Sequence, residues 1–148
     1  MAVADNLLIR WMIKDDVGAC IDIDALSFDD FWGEPEFLAH SRRKDGISAV
    51  AESDGEIRGY ICYEFDADHF RIVRLAVHPD DRRKGYGRAL IGRVVSKLSK
   101  RRPTLLACVD ERNAGGIAFL SACGLLATGV VKRQFGDSDG YLFQKVAG

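Results

Sequence analysis

A basic, glycine-containing segment from Arg82 to Arg88 has the residue types of a phosphate-binding loop. Gly85 and Gly87 lack the Cβ atoms that would hold a ligand away from the backbone. Apolar residues at three- and four-residue spacing follow it, which predicts a helix over 86–100, and the first N–H groups of a helix bind anions. Four cations surround these amides: Arg82, Arg83, Lys84 and Arg88. The spacing matches neither the P-loop nor the dinucleotide fingerprint, so it indicates a phosphate site of another type or a simple turn with solvated arginines.

The segment ahead of this loop reads as a strand with a defined end. Residues 70–78 are mostly apolar or β-branched, as in a half-buried strand. Pro79 ends the ladder because proline has no N–H to donate. The combined pattern is L-x-V-x-P followed by R-x-x-G-x-G and an amphipathic helix.

A second motif, N-A-G-G-I-A-F-L-S-A-C-G-L, covers residues 113–125. Asn113 is suited to cap a helix over Ala114–Ala122, and Gly124 is suited to end it. Phe119 would lie either in the core or in the wall of a ligand site.

The two motifs resemble those of the GNAT acetyltransferases: the acetyl-CoA pyrophosphate loop Q/R-x-x-G-x-G/A, and N-x-x-A-x-x-F-Y-x-x-x-G-F. The resemblance implies an α+β fold, in which a strongly twisted mixed sheet of about seven strands with four helices splays open to admit the pantetheine arm. It implies acetyl-CoA as cosubstrate, with no metal, and a role for Asn113 in holding the pantetheine amides. The residues it assigns to acetyl-CoA are Leu75, Ala76, Val77, Arg82, Arg83, Lys84, Gly85, Tyr86, Gly87, Arg88, Asn113 and Phe119.

Over nearly the whole chain, the sequence also resembles RimI-type enzymes, which acetylate the N-terminal amine of a small-subunit ribosomal protein. The resemblance rests on Ser27-Phe28 with Trp32, on GYICYE at 59–64, and on AVHP at 76–79. It implies that the acceptor is a protein N-terminus, and the N-terminus of a basic protein is one candidate. Two positions depart from the family. Cys108 stands where RimI-type enzymes have the glutamate general base, and Leu120 stands where the family has the tyrosine general acid.

Without the family's general base and general acid, acetyl transfer favours an α-amine as the acceptor. Acetyl transfer to nitrogen needs a neutral amine, and an α-amino group is about one-tenth neutral at pH 7, against less than about one part in a thousand for lysine. Backbone N–H groups near Val77 and the splay of the sheet can orient and polarise the reacting carbonyl without any particular side chain. A thiol with a pKa of about 8.5 can leave as the thiolate without an acid.

Three other residues are candidates for moving protons, each with a structural alternative. Glu64 ends a strand and would otherwise be a surface residue, and Asp110 shares a strand face with Cys108 if the strand continues. Tyr141 in the last strand could replace the missing acid or belong to the sheet. Cys108 as an acetyl-accepting nucleophile is disfavoured because no histidine neighbours it in sequence.

The segment 28–36 is rich in aromatic and acidic residues, and in this family it borders the acceptor groove. An acidic, aromatic rim would favour a cationic peptide or polyamine, whereas the alternative is an acidic surface over buried aromatics. The residues are Phe28, Asp29, Asp30, Phe31, Trp32, Glu34 and Glu36.

Composition limits the remaining possibilities. A length of 148 residues suits a single domain over 1–148, and a net charge of −1 predicts no overall attraction to nucleic acid or membrane. The four cysteines lie singly in apolar segments, which predicts buried thiols in a reducing cytoplasm. The absence of a signal peptide and of an apolar run of about 18 residues also predicts a cytoplasmic protein. The resemblance implies acetyl-CoA and an amine acceptor as partners. The protein itself is expected to be a monomer or a homodimer.

The predicted element order is β-α-α-β-β-β-α-β-α-β-β. Asp15 or Asp16 is expected to cap the first helix, a second helix is expected from about Pro35, and Ser53–Glu56 is expected to form a hairpin turn. The strands are predicted at 6–13, 47–52, 57–65, 70–78, 104–109, 125–134 and 141–146.

The resemblance to the GNAT family predicts an acetyl-CoA-dependent N-acetyltransferase in which the amine attacks the thioester directly, with a protein N-terminus as the acceptor. The alternatives are a small-molecule amine acetyltransferase, a non-catalytic acyl-CoA-binding module, which Cys108 and Leu120 both permit, and a nucleic-acid binder that uses the arginines. The net charge argues against the last.

Overall fold

A single mixed sheet organises residues 6–147, which are the residues that the computed structural model describes. Its strands are β1 (Leu8–Trp11), β2 (Gly46–Ser53), β3 (Glu56–Phe65), β4 (His69–Val77), β5 (Thr104–Asp110), β6 (Leu126–Val131) and β7 (Gly140–Val146). The helices are α1 (Val17–Ser27), α2 (Glu34–Arg42), α3 (Tyr86–Val95) and α4 (Ala114–Ala122). The predicted element order and the predicted α+β class, with seven strands and four helices in this part of the chain, are confirmed.

The strand order is β1-β2-β3-β4-β5-β7-β6. The pair β4–β5 is parallel, and the other neighbouring strands are antiparallel. Alternate side chains of β2 point to opposite faces: Ala49 and Ala51 pack with α3 and α4 in one core, and Val50 packs with α1 and α2 in the other. The sheet therefore separates two helical layers.

The central parallel pair is short. β4 and β5 are paired at three positions, His69–Thr104, Phe70–Leu105 and Arg71–Leu106, and then diverge. On the other side of β4, Tyr63 pairs with Ile72 and Cys62 with Arg74, so Val73 is an extra residue in a β-bulge. The bulge bends β4 where the pairing with β5 ends, and the sheet splays open as predicted.

The hairpin between β2 and β3 forms as predicted. Asp54 and Gly55 have φ values of 55° and 77°. A two-residue type I′ turn requires positive φ at both positions, which is why Asp-Gly is a strong hairpin signal.

Several boundaries differ from the prediction. β1 has four residues and β6 six, so both strands are shorter than predicted. Helix α3 ends at Val95; Lys97 and Leu98 donate instead to carbonyls three residues back, in a tightened final turn. Asp16 occupies the N-cap position of α1 without capping it, because its carboxylate accepts from the Ile13 N–H at 2.8 Å and pairs with Arg10 at 2.7 Å.

The cysteines are free, but only two of the four are buried as predicted. Cys20 on α1 and Cys62 on β3 lie in the core between the sheet and the layer of α1 and α2. Cys108 is half-buried because its strand borders the splay, and Cys123 is half-buried at the end of α4. The longest helix has 11 residues, and no helix within 6–147 has the length and apolar run needed to cross a membrane.

Candidate active site

A cleft of about 450 Å³ opens where β4 and β5 diverge. Its walls include Val73 and Leu75 from β4, Ala107 and Asp110 from β5, and Gly116 and Phe119 from α4. Beyond Arg71, β4 has no ladder partner among residues 6–147 on the side of β5, so backbone N–H and C=O groups on that edge face the cleft. The cleft thus offers hydrogen-bonding groups that require no particular side chain.

The N-terminus of α3 presents free backbone amides. The first intrahelical bond runs from the Ala89 N–H to the Gly85 carbonyl at 3.0 Å, so the N–H groups of residues 86–88 precede the helical ladder. Gly85 has φ of 93° and Arg83 has φ of 65°, and these left-handed residues curl the loop around the helix end. The loop has the features of an anion site.

Gly87 allows a close approach between the two helices at this end of the sheet. A Cβ atom at this position would lie 3.0 Å from the ring of Phe119, so any side chain would force the ring to move. Phe119 also lines the cleft. Gly87 therefore keeps the N-terminus of α3 in contact with the wall of the cleft.

The cations of the loop have different partners. Arg82 donates to the Val77 carbonyl and to the Ser27 hydroxyl, each at 3.2 Å, and so fastens the loop to β4 and α1. Lys84 pairs with Asp81 at 3.4 Å. Arg83 and Arg88 are exposed and have no ion-pair partner within 6–147, so both remain available to an anion.

Tyr86 and Asn113, both assigned to acetyl-CoA, can offer the cleft only some of their polar groups. Tyr86 is buried in the core, so it can offer the site only its backbone. Asn113 caps α4, with its Oδ1 accepting from the Gly116 N–H at 2.8 Å. The Nδ2 group of Asn113 has no acceptor among the described residues, so the same side chain can cap the helix and donate into the cleft.

Cys108 and Leu120 both line the cleft, at the positions where the family pattern has its base and its acid. Burial raises the pKa of the Cys108 thiol, which packs against Gly140, so the thiol is protonated at neutral pH. Leu120 is 6% exposed and carries no proton to transfer. Neither side chain can perform the corresponding proton transfer.

Asp110 is the predicted catalytic candidate that the structure brings into the cleft. Hydrogen bonds from the Arg112 side chain and backbone, and from the Ser138 hydroxyl, lower the pKa of Asp110 to about 2. The carboxylate is therefore ionised throughout the neutral range and is a weak base. It is better suited to attract a cation than to accept a proton.

Glu64 and Tyr141 lie outside the cleft. Glu64 is at the paired end of β3 and β4, where its carboxylate meets Arg71 at 3.0 Å and Arg43 at 3.1 Å. Tyr141 lies on β7 opposite Val109 and packs against the core. Glu64 is on the paired side of β4, and Tyr141 is one strand beyond β5, so neither side chain lines the cleft.

Two residues of the acidic, aromatic segment line the cleft. They are Asp30, whose side chain is 91% exposed, and Phe28, which is half-buried. The other acidic residues of the rim, Asp29, Glu34 and Glu36, are exposed and do not line the cleft.

A buried ion pair behind this rim was missed by the sequence prediction. Arg74 lines the cleft and pairs with the fully buried Asp24 at 2.8 Å. A partial signal was present for Asp24, which is a charged residue at helical spacing with the apolar Val17, Cys20 and Phe28. Asp24 and Arg74 are 50 positions apart, however, and only the fold shows that they face each other.

The sequence matches one family model, described as the acetyltransferase (GNAT) family, over residues 17–125. A curated relative, the ribosomal protein bS18 alanine N-acetyltransferase of Escherichia coli strain K12, is 26% identical over 110 residues, which span 74% of each chain. The crystal structure of the ribosomal-protein alanine N-acetyltransferase from Escherichia coli superposes with a TM-score of 0.84 at 22% identity, covering 96% of this chain and 94% of that one. Arabidopsis thaliana NAA60 in complex with acetyl-CoA gives a TM-score of 0.81 at 18% identity, with 95% and 99% covered.

Proposed function

The chain belongs to the acetyltransferase (GNAT) family, and we propose that it transfers an acetyl group from acetyl-CoA to a protein N-terminal α-amine by direct attack of the amine on the thioester. The family supplies the acetyltransferase activity and its use of acetyl-CoA. The acceptor and the roles of individual residues are the subject of the proposal.

The residues present fit acetyl-CoA. The free amides of residues 86–88, with Arg83 and Arg88 beside them, would hold the pyrophosphate. The unpaired edge of β4 and the Nδ2 group of Asn113 would hold the amide-containing arm. Gly87 lets the N-terminus of α3 lie against Phe119, and a single methyl group at this position would displace that ring from its place in the wall of the cleft. When bound, acetyl-CoA supplies an activated acetyl group, and the protein holds and orients it.

The observation that carries the proposal is that, among residues 6–147, the cleft offers the acceptor amine no effective base. Cys108 is a protonated thiol, Leu120 is apolar, and Asp110 is held ionised with a pKa of about 2. An amine must therefore reach the cleft already neutral. At pH 7 this condition is met by about one-tenth of an α-amine and by less than about one part in a thousand of a lysine.

Within this proposal Asp110 has an electrostatic role. Its charge, at the β5 side of the cleft, would attract the ammonium form of the acceptor and hold the neutral amine by a hydrogen bond. Cys108 and Leu120 would shape the reaction space and exclude water from it. Glu64 and Tyr141 receive no role because they lie outside the cleft.

The name of the curated relative supports a protein N-terminus as the acceptor. That relative is named for its action on an alanine of ribosomal protein bS18, although at 26% identity the substrate does not transfer to this chain directly.

Residues 1–148 are proposed to form one domain, because a continuous sheet runs from β1 to β6.

The test compares three acceptors with acetyl-CoA present. One is a peptide with a free N-terminus and no lysine, the second is a peptide with a blocked N-terminus and one lysine, and the third is spermidine. We expect the first to be acetylated fastest, as measured by mass spectrometry and release of free thiol. Faster turnover of spermidine would support a small-molecule amine acetyltransferase instead. Binding of acetyl-CoA without turnover of any acceptor would support a non-catalytic module.

A further inference from the structure

Arg74 occupies a special position at the mouth of the cleft. It follows the bulged residue Val73, where β4 leaves β5, and it lines the cleft with its side chain 13% exposed. A largely buried arginine needs fixed partners, because an unpaired charge in this position would be costly.

Two of the three guanidinium nitrogens are fully engaged. Nε donates to Asp24 Oδ1 at 3.0 Å, and Nη2 donates to Asp24 Oδ2 at 2.8 Å and to the Asp30 carbonyl at 3.1 Å. Asp24 has no exposed surface and also accepts from the Tyr60 hydroxyl and the Trp32 N–H. The guanidinium plane is thus fixed from one side by the Asp24 carboxylate, which accepts four hydrogen bonds.

An aromatic ring fixes the plane from a second direction. The guanidinium carbon of Arg74 lies 4.0 Å from the centre of the Phe28 ring and 5.3 Å from that of Trp32. Burial by itself would lower the pKa of Arg74, but the hydrogen bonds with Asp24 outweigh it and leave the pKa above its usual value. The side chain is therefore a rigid, permanently charged donor.

The third nitrogen, Nη1, donates to no atom in the part of the chain that the structure describes. No fully buried side-chain nitrogen or oxygen in 6–147 lacks a hydrogen-bond partner. Nη1 therefore keeps some exposed surface, and Arg74 is one of the residues that line the cleft. Within 6–147, Nη1 is an N–H donor pair with no acceptor from the protein itself.

We propose that Arg74 Nη1 donates a hydrogen bond to the carbonyl oxygen of the acceptor's first residue, so that this site selects α-amino acyl compounds. The inference rests on the proposed function and assigns a residue to its selectivity among amines. Peptide N-termini and amino acid amides have a carbonyl oxygen next to the amine-bearing carbon. Alkylamines and polyamines have none, and a lysine side chain carries its amine four methylene groups from the backbone.

The charges around Arg74 favour a neutral carbonyl over a carboxylate. The positive charge of Arg74 is balanced by Asp24, and the Asp30 carboxylate lies 4.0 Å from Nη2. Asp110 adds a further negative charge to the cleft. A free amino acid would bring another carboxylate into this surrounding, so it should be a poorer acceptor than the corresponding amide.

The experiment replaces one oxygen of the acceptor by sulfur. A thioamide is a weaker hydrogen-bond acceptor than an amide of nearly the same shape, and it leaves the N-terminal amine in place. Wild-type protein is assayed with a short peptide amide, with the same peptide carrying a thioamide at the first peptide bond, and with a third carrying it at the second bond. We expect kcat/KM to fall about tenfold for the first thioamide and to stay unchanged for the second.

Variants assign the effect to Arg74. In the double variant Asp24→Asn with Arg74→Gln, which keeps the pair neutral and able to hydrogen-bond, the two thioamide peptides should react equally. Arg71→Gln is the matched control: it removes an arginine of the same strand outside the cleft and should preserve the tenfold difference. Acetyl-CoA binding by each variant checks that the cleft is intact.

The outcomes separate the two proposals. Equal rates for all three peptides with the wild-type protein would overturn the role of Arg74 and leave N-terminal acetylation standing. Acetyl-CoA binding without acetylation of any peptide would refute both. Because the decisive comparison uses wild-type protein, it remains valid even if the double variant does not fold.

Discussion

Installing a base at Cys108 tests the central chemical argument. The change Cys108→Glu places a carboxylate in the cleft, on the strand face that it shares with Asp110 two residues further on. The Cys108 thiol packs against Gly140, so a longer side chain must extend toward the open cleft. The charge of Asp110 would raise the pKa of the new glutamate above its usual value of about 4.3, which makes it a better base.

The size of the gain follows from the fraction of acceptor that is neutral. An α-amine with a pKa of about 8 is about one-tenth neutral at pH 7. A base in the cleft that takes the proton from the bound ammonium before the attack allows the remaining nine-tenths to react as the neutral amine, so kcat/KM should rise about tenfold at pH 7. The advantage should disappear near pH 9, where the amine is already neutral.

The assay is the pH dependence of kcat/KM between pH 6 and pH 9.5 for the wild type, Cys108→Glu and Cys108→Gln. The glutamine variant has nearly the same shape without the base, and it should follow the wild-type profile, rising with the pKa of the acceptor. The reasoning would be refuted if the glutamine variant gained as much as the glutamate variant. A wild-type plateau well below the pKa of the amine would also refute it, because it would reveal a base already present.

Three further predictions concern the loop, the cleft and the buried pair. Gly87→Ala should weaken acetyl-CoA binding about tenfold in a calorimetric titration, because the new methyl group would displace the aromatic ring 3.0 Å away. Gly92→Ala, in the same helix with nothing within 4 Å of the added atom, should bind normally. Asp110→Asn should lower kcat/KM several-fold with no change in the pH profile, because the carboxylate is ionised across the assay range, while Glu64→Gln should have no effect. Asp24→Ala should reduce the free energy of unfolding by about 3–5 kcal/mol in a urea titration, since it leaves a buried arginine unpaired; an unchanged midpoint would contradict this.

The elements that the sequence predicted well are those determined by local chemistry. The turn at Asp54 and Gly55 requires positive φ at two adjacent residues, and few dipeptides other than Asp-Gly provide it. Gly124, with φ of 87°, ends α4 for a similar reason. In the loop 82–88, the glycines and the helix start are contiguous in sequence, so the start of α3 could be predicted before its surroundings were known.

The parts that could not be predicted depend on register and on long-range pairing. Glu64 was a reasonable candidate base on sequence, but the register of β3 on β4 places it opposite Arg71, on the paired side of the splay. Arg74 and Asp24 gave no local signal of a shared site, because the pair exists only when α1 packs beside β4. The end of α3 was also misjudged, because Leu98 continues the apolar pattern into the core after the helix has ended at Val95.

The three paired positions between β4 and β5 act mechanically as a pivot. From Arg71 to Val77, β4 runs about 20 Å past the pivot, at about 3.3 Å per residue. A rotation of about 3° between the two parts of the sheet would therefore shift the far end by about 1 Å, a displacement large enough to alter the rate of a positioned reaction. Arg102 stacks on the rings of Phe65 and Phe70, at 4.8 and 5.3 Å, beside the pivot. The packing of Arg102 beside the pivot therefore limits this rotation, and so limits changes in the width of the cleft farther along β4.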